Sequence, residues 1–203
     1  LRVSKTHRIK SEYDKAEENT LKSLKLFEEI NNQSGINNSY ISLGNIAQRD
    51  NDPDKALLYY TKVLNFAKKN GDLKQQALML NNIGTLSYSK GNFDDAIAFY
   101  KQSFALREQL GEEKKGLGVL NNIGIICLNQ GRYTESLKYF NKNLEIHRKN
   151  NNKDGIATAT YNMSAVYYEL KQFDKTLMLM EESLKLNREL GVRRQVASCL
   201  INI

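Results

Sequence analysis

Four asparagines recur in this sequence at a step of 40 residues, and their carboxamides are the side chains with the clearest chemical use. They are Asn82, Asn122, Asn162 and Asn202. A carboxamide carries both a hydrogen-bond donor and an acceptor, so it can pair with the main chain of an extended peptide. Repeated at a fixed step, these side chains predict a ladder suited to a peptide backbone. Hydrogen bonds that merely bridge neighbouring helices are the alternative, and the sequence leaves both interpretations open.

Catalytic and metal-binding chemistry find little support in the sequence. His7 and His147 are isolated in different repeats, without cysteines or carboxylates at metal-ligand spacing. Acidic pairs such as Asp94-Asp95 sit at predicted helix starts, where solvation and the helix dipole explain them. The segment Gly116-Leu117-Gly118 lacks the strand and the downstream residues of a nucleotide-binding loop. We therefore predict a protein that is not an enzyme and that uses no metal or cofactor.

The asparagines belong to a repeat that runs through the whole sequence. Asn81-Asn82-Ile83-Gly84 returns 40 residues later as Asn121-Asn122-Ile123-Gly124. A fixed period of this length indicates units that bury their apolar faces against their neighbours. We predict a single array over 1–203, divided into a partial first repeat at 1–31, then 32–71, 72–111, 112–151, 152–191 and a partial sixth repeat at 192–203. Because both ends interrupt a repeat, we expect a fragment of a longer protein.

Each repeat is predicted to be a helical hairpin. In 72–111 a first apolar face recurs at helical spacing over about 73–90, and a second runs from Phe93 until Leu110-Gly111. Lys90-Gly91-Asn92 supplies a glycine that ends one helix and an asparagine suited to capping the next. Pro53 follows Asp52, at the first position of a helix where a missing N–H is tolerated. The predicted fold is an all-α solenoid of stacked helical hairpins.

Small residues inside these helices require an explanation, because glycine in a helix costs about 1 kcal/mol relative to alanine. One column holds Gly44, Gly84 and Gly124, with Ser4 and Ser164 in the same slot, and a second holds Ala16, Ala56, Ala96, Ser136 and Thr176. We predict that the two columns face each other and let paired backbones approach closely. The space beside them would be filled by Tyr60, Tyr100, Phe140 and Met180.

Composition narrows the classes of partner. The formal charge is +7, but Lys and Arg are spread through every repeat without a long basic run, which argues against nucleic acid. No apolar run approaches the roughly 18 residues that a membrane helix needs. Cys127 and Cys199 lie two repeats apart, too far for a disulfide, and are predicted to be small core residues. Cytoplasmic and periplasmic locations both remain open.

Several positions resemble the tetratricopeptide repeat family in register. Leu43-Gly44, Ile83-Gly84 and Ile123-Gly124 match the opening of its pattern, and Ala96 with Tyr100 matches its second helix. The sequence departs from the pattern in having no Trp and a period of 40 rather than 34. Its closing Pro position holds Glu28, Lys68, Glu108, Arg148 and Arg188.

Long repeats of this kind resemble two groups within the family. One comprises the sensor arrays of bacterial signalling proteins, such as histidine kinases and transcriptional regulators, and the other the Leu-Gly-Asn repeat polarity adaptors. Leu43-Gly44-Asn45 matches the second group, whereas the Asn- and Lys-rich composition favours the first.

The resemblance implies a superhelix whose first helices line a concave groove that binds a protein or peptide ligand. It also implies that the asparagine ladder holds peptide backbone. We predict further groove contacts from Asn45, Arg49, Thr85, Ser89, Asn129 and Glu169. The alternatives are a structural spacer, or self-association through the open repeat ends.

Overall fold

A computed structural model describes the backbone of residues 2–202 and the side chains of residues 10 and 12–200. Over these residues the chain is all-helical and without strands, which confirms the predicted fold class. The helices are α1 (Arg2–Glu29), α2 (Gln33–Arg49), α3 (Pro53–Lys69), α4 (Leu73–Ser89), α5 (Phe93–Gln109), a short 3-10 helix (Glu113–Gly116), α6 (Leu117–Asn129), α7 (Tyr133–Lys149), α8 (Lys153–Glu169), α9 (Phe173–Glu189) and α10 (Arg193–Asn202).

The chain divides into two compact units, Leu1–Leu106 and Arg107–Ile203. In unit 1, α1 packs on α2, α2 on α3 and α3 on α4, and the apolar core between α3 and α4 centres on Tyr60 and Ile83. In unit 2, each helix from α6 to α10 packs on the next, and Phe140 and Val166 lie in a core shared by α7, α8 and α9. Each unit is therefore a stack of antiparallel hairpins.

Nine turns of one kind join the helices within residues 2–202. The middle residue of each turn has a positive φ, and these residues fall every 20 positions: Asn31, Asn51, Gly71, Gly91, Gly111, Gly131, Asn151, Lys171 and Gly191. Between α2 and α3, Asn51 N–H donates to Gln48 O and Asp52 N–H donates to Ala47 O, which satisfies the last carbonyls of α2. The Asp52 carboxylate then accepts from Lys55 N–H and caps α3. One three-residue turn thus closes one helix and starts the next.

The start of α6 departs from this scheme. Glu112 occupies the capping position but makes no capping hydrogen bond. Its two carboxylate oxygens instead accept from Arg107 Nη1 at 2.7 Å and from Lys115 Nζ at 2.8 Å. The first turn is a 3-10 helix, and α6 has 13 residues where α4 and α8 have 17. The 3-10 turn and α6 together cover 113–129, which corresponds to 73–89 in α4 and 153–169 in α8, so only the form of the first turn differs.

Rings of the second helix lie directly over the glycines of the first. A Cβ built on Gly84 would come 2.8 Å from Cδ1 of Tyr100, and one on Gly44 would meet Tyr60 in the same way. Both rings are buried, as predicted, but they occupy the space in front of the glycine and not only the space beside it. The glycine is required by the ring of the partner helix.

The small column of the second helix contacts the same backbone at one repeat. Ser136 Oγ donates to the carbonyl oxygen of Gly124 at 2.8 Å, so the two columns do face each other there. Ser164 carries a Cβ in the glycine slot, and the matching ring position holds the flexible, buried Met180. Cys127 and Cys199 are buried and form no disulfide in the described part of the chain, which confirms their predicted core role.

His147 is a half-buried titratable side chain whose ring atom Nδ1 is fully buried. Its ring, on α7, lies where a Cβ on Gly155 of α8 would be, and its Nδ1 has no hydrogen-bond partner among the described residues. Burial lowers the pKa of His147 below its usual value, and the nearby Asp154 carboxylate opposes this only in part. The neutral imidazole is therefore the form that fits between α7 and α8.

We expect Gly124→Ala to destabilise the chain by about 2 kcal/mol, because the added Cβ would lie within 3.0 Å of the Phe140 ring. Gly118→Ala is the matched control on α6: nothing lies within 4 Å of its Cβ, so it should be neutral or stabilising by about 0.5 kcal/mol. Gly124→Ser with Phe140→Met copies the Ser164 and Met180 pair and should recover part of the loss. Urea unfolding followed by circular dichroism measures these effects, and equal stability of the two alanine variants would contradict the ring contact.

Acidification should destabilise the chain through His147. Its folded pKa is lowered, so below about pH 6.5 the unfolded state takes up a proton first and stability falls as pH decreases. Above this range the contribution is constant. His147→Asn, which places the residue found at Asn187 one repeat later, should flatten the profile of urea midpoint against pH. Parallel profiles for the wild type and the variant would show that His147 carries no such linkage.

Candidate functional site

One face of α2, α4, α6 and α8, the first helices of their hairpins, carries residues that are exposed or half-buried. We call these the asparagine faces. In unit 2 they comprise Gly118, Asn122, Ile125 and Asn129 on α6, and Thr158, Asn162, Ala165 and Glu169 on α8. In unit 1 they comprise Asn38, Ser42, Asn45 and Arg49 on α2, and Leu78, Asn82, Thr85 and Ser89 on α4. The spacing of i, i+4, i+7 and i+11 places each set along one side of its helix.

The asparagine faces share one pattern of exposure. On α4, α6 and α8 the first and last residues are exposed and the two between them are half-buried, so Asn82, Asn122 and Asn162 lie at a half-buried position. On α2 all four residues are exposed, including Asn45 and Arg49. The side chain of Asn202, the remaining member of the predicted ladder, lies outside the described residues.

A hydrogen bond joins the two first helices of unit 2. Asn162 Nδ2 on α8 donates to Asn121 Oδ1 on α6 at 2.7 Å. This contact links two repeats, and it is the bridging interaction that the sequence left open for the asparagines. In unit 1 the corresponding amides interact within α4, where Asn81 Nδ2 lies 3.4 Å from Asn82 Oδ1. The bridge uses one N–H of Asn162, while its second N–H and its oxygen make no hydrogen bond to the described part of the chain.

Two predicted groove residues hold core tyrosines. The Tyr60 hydroxyl donates to Asn45 Oδ1 at 2.7 Å, and burial raises the pKa of Tyr60, which keeps its hydroxyl protonated as a donor. The Thr85 hydroxyl lies 3.1 Å from the Tyr100 hydroxyl and donates to the carbonyl oxygen of Asn81 at 3.0 Å. Asn45 and Thr85 therefore use part of their hydrogen-bonding capacity for contacts within their own hairpins.

The residue type at the ring position of the second helix varies together with the residue type at the facing position of the first helix. Where the second helix presents a phenol, at Tyr60 and Tyr100, the first helix presents the polar Asn45 and Thr85. Where the ring position holds Phe140 or Met180, the first helix has Ile125 or Ala165. A buried hydroxyl needs a partner and a methyl group does not, so polarity on the asparagine face follows from the core beneath it.

The residues at the carboxyl ends of the asparagine faces differ in whether their side chains are available to contact a partner. Ser89 Oγ donates to the carbonyl oxygen of Leu86 at 2.8 Å, so this hydroxyl serves its own helix. Arg49, Asn129 and Glu169 are exposed at the carboxyl ends of α2, α6 and α8. Their side chains are free to contact a partner from one edge of each face.

Buried polar residues on the second helices form a column that we did not predict. Ser103 Oγ donates to Ala77 O at 2.6 Å, Asn143 Nδ2 to Leu117 O at 2.7 Å, and Ser183 Oγ to Ala157 O at 2.8 Å. Each bond ties a second helix to the start of its own first helix. The signal was present as a polar residue that recurs at a step of 40 within an apolar stripe.

Other kinds of site are not found in the described residues. No group of three or more His, Cys, Asp or Glu side chains is arranged to hold a metal ion there. Over the same residues, no helix combines the length and the apolar character that crossing a bilayer requires. Basic residues often pair with acidic ones, as in unit 2 for Lys142 with Glu108 and for Arg148 with Glu182.

Two family models match the chain. The model described as tetratricopeptide repeat matches residues 117–189, and the model described as soluble NSF attachment protein, SNAP, matches residues 2–152. The second match covers more than half of the chain, and the two overlap over α6 and α7. No curated protein sequence gives a significant match.

Solved structures of similar fold include proteins of different kinds. BtubC from P. vanneervenii is 17% identical with a TM-score of 0.74, covering 87% of this chain and 74% of that one. A signal transduction ATPase with a tetratricopeptide repeat sensor from Pyrococcus horikoshii is 19% identical with a TM-score of 0.74, covering 80% and 25%. The Rap conjugation gene regulator of plasmid pLS20, in complex with the Phr peptide, is 18% identical with a TM-score of 0.66, covering 97% and 55%. Identities this low establish similarity of fold alone.

Tyr100→Phe should destabilise the chain by about 1 kcal/mol, because the hydrogen bond between the Tyr100 and Thr85 hydroxyls is lost while Thr85 keeps its bond to the Asn81 carbonyl oxygen. Adding Thr85→Ile copies the Phe140 and Ile125 pair of the next repeat, so the double variant should regain most of this loss. A double-mutant cycle measured by urea unfolding gives the coupling, which we expect to be about 1 kcal/mol. Strictly additive effects would mean that the two hydroxyls do not stabilise each other.

Proposed function

Since the chain belongs to the tetratricopeptide repeat family, we propose that it is a non-enzymatic scaffold whose asparagine faces bind an extended peptide or a segment of another protein. We place the main contact in unit 2, on the adjacent faces of α6 and α8. The binding groups are the carboxamides of Asn122 and Asn162, with Asn129 and Glu169 at the edge. The faces of α2 and α4 in unit 1 would act in the same way through Asn82, Asn45 and Arg49.

The observation that carries this proposal is the hydrogen bond from Asn162 to Asn121. It holds the Asn162 carboxamide in one orientation and still leaves one donor and one acceptor for a ligand. An amide fixed in advance loses less conformational freedom on binding than a mobile one, so more of the hydrogen-bond energy contributes to affinity. The bridging role and the binding role therefore support each other at this residue.

Main chain is the ligand group that fits these faces. Their half-buried positions carry amides and apolar groups without any formal charge: Asn122, Ile125, Asn162 and Ala165. A peptide unit presents one N–H and one C=O, which a carboxamide can pair with simultaneously. Partial burial lowers the local dielectric and strengthens such bonds. The exposed edge residues would add preference for particular side chains of the ligand.

We infer further that the scaffold is the sensor or interaction region of a bacterial signalling protein, such as a histidine kinase or a transcriptional regulator. The Asn- and Lys-rich composition supports this context. Two proteins of similar fold are, by their titles, a signal transduction ATPase with a repeat sensor and a gene regulator bound to a peptide. In such a protein, occupancy of the asparagine faces would be passed to an output domain.

A displayed library of random nonapeptides selected on the 203-residue chain tests the binding function. We expect selected peptides to bind about tenfold more weakly to Asn122→Ala or Asn162→Ala, because each variant removes hydrogen bonds to the ligand main chain. Asn121→Ala should have a smaller effect, since Asn162 keeps its amide but loses the group that orients it. Fluorescence anisotropy of labelled peptides measures the dissociation constants.

Asn141→Ala is the matched control, because Asn141 is an exposed asparagine on the second helix α7 of the same unit. It should leave peptide affinity unchanged. Selected peptides that bind the Asn122→Ala, Asn162→Ala double variant as tightly as the wild type would exclude the asparagine faces as the contact surface. Failure to select any peptide, with a concentration-dependent rise in light scattering, would favour self-association instead.

A further inference from the structure

A cavity of about 210 Å³ lies between α8, α9 and α10 in unit 2. It is lined by Ala157, Thr158 and Tyr161 of α8, Ser183 and Asn187 of α9, and Gln195, Ser198 and Cys199 of α10. Thr158 belongs to the asparagine face of α8, and both Thr158 and Gln195 are exposed. The cavity therefore opens beside the face on which we place the peptide. No lining residue carries a formal charge.

Asn187 places an unpaired acceptor in this cavity. The residue is only 3% exposed. Its Nδ2 donates to the carbonyl oxygen of Ser183 at 2.9 Å and lies 3.3 Å from Ser183 Oγ, whereas its Oδ1 has no hydrogen-bond partner in the described part of the chain. This oxygen is not one of the fully buried atoms of the structure, so it is accessible from the cavity although the residue as a whole is buried. A ligand that brings an N–H into the cavity would satisfy it.

The orientation of the Asn187 amide is determined by its surroundings. A carbonyl oxygen can only accept, so the nitrogen of Asn187 must face Ser183 O and the oxygen must point away from it. Ser183 Oγ is itself committed, because it donates to Ala157 O at 2.8 Å and Cys199 Sγ lies 3.7 Å from it. Rotating the amide by half a turn would set two oxygens against each other. The acceptor in the cavity is thus a fixed feature.

The preceding repeat shows what closes the equivalent space. His147 and Gly155 correspond to Asn187 and Gln195 at a step of 40, and the His147 ring lies on Gly155. At Asn187 a shorter side chain replaces that ring, and Gln195 extends towards solvent in place of a glycine. The cavity results from a local change of sequence in an otherwise repeated contact, so filling it with the residues of the neighbouring repeat is structurally permitted.

We propose that this cavity is a specificity pocket for one carboxamide side chain, Gln or Asn, of the peptide bound on the α6 and α8 faces. Its volume of about 210 Å³ is large enough for a single short side chain. The ligand amide donates to Asn187 Oδ1, and its oxygen accepts from Thr158 Oγ1 or Gln195 Nε2. A lysine would be rejected, because a buried ammonium without a carboxylate loses its hydration uncompensated. This inference rests on the proposed function.

The test uses the peptides selected from the nonapeptide library on the 203-residue chain. We expect a Gln or Asn to recur at one position, and its replacement by norleucine in a synthetic peptide to weaken binding roughly tenfold, because Asn187 Oδ1 again lacks a donor. In the double variant Asn187→His, Gln195→Gly, which copies the His147 and Gly155 packing, the Gln and norleucine peptides should bind equally. Circular dichroism verifies that this variant is folded.

The outcomes separate this inference from the function on which it rests. Peptides that depend on Asn162 but show no carboxamide preference overturn the pocket and leave the binding function intact. A preference that persists in the Asn187→His, Gln195→Gly variant likewise overturns the pocket. If the double variant is unfolded, Gln195→Trp replaces it as the filled form, and a retained preference again excludes the pocket. Selection of no peptide overturns both.

Discussion

The contact between a bare glycine backbone and an aromatic ring is the interaction on which the rest of this structure depends. Gly84 leaves the backbone of α4 open, and the ring of Tyr100 lies in the space that a Cβ would take. Because successive residues of an α-helix are turned by about 100°, Asn82, two positions before this glycine, lies on roughly the opposite side of the helix. The contact that closes the hairpin thereby determines which side chains face outward.

Much of this architecture was predictable from the sequence. Hairpins are predicted by the 40-residue period, the helical apolar spacing and the glycines at the turns. These are local properties of the sequence, and they recur in each repeat. The first turn of α6 was not predictable in this way. Glu112 can cap a helix or pair with Arg107 and Lys115, and the choice depends on the distance to groups in neighbouring elements. Residue types alone do not determine which partner a long acidic side chain takes.

The candidate site, like the fold, was predictable from the sequence only in part. Spacing predicts that Asn45, Thr85 and Asn162 share one side of their helices, but it does not give the partner of each polar atom. Asn45 and Thr85 form hydrogen bonds with tyrosine hydroxyls of the second helices, and Asn162 donates to Asn121 on the neighbouring first helix. The paired substitution of Tyr60 with Asn45 and of Phe140 with Ile125 contained part of this information. This information is apparent only when equivalent positions of the two helices are compared across the repeats, since the changes on one helix alone resemble ordinary surface variation.

Repeat copies within the chain therefore separate two classes of position. Positions that build the hairpin hold matched pairs, such as Gly124 with Phe140 and Ser164 with Met180, in which a change on one helix is answered on the other. Positions that face outward beside the asparagines differ between repeats without a matching substitution on the second helix. Examples are Gly118 and Thr158, and Asn129 and Glu169. A ligand whose main chain pairs with a recurring amide would be distinguished by its side chains at these unmatched positions. The same scaffold contact can in this way recur on α6 and α8 while the preferred side chains of the ligand differ between the two helices.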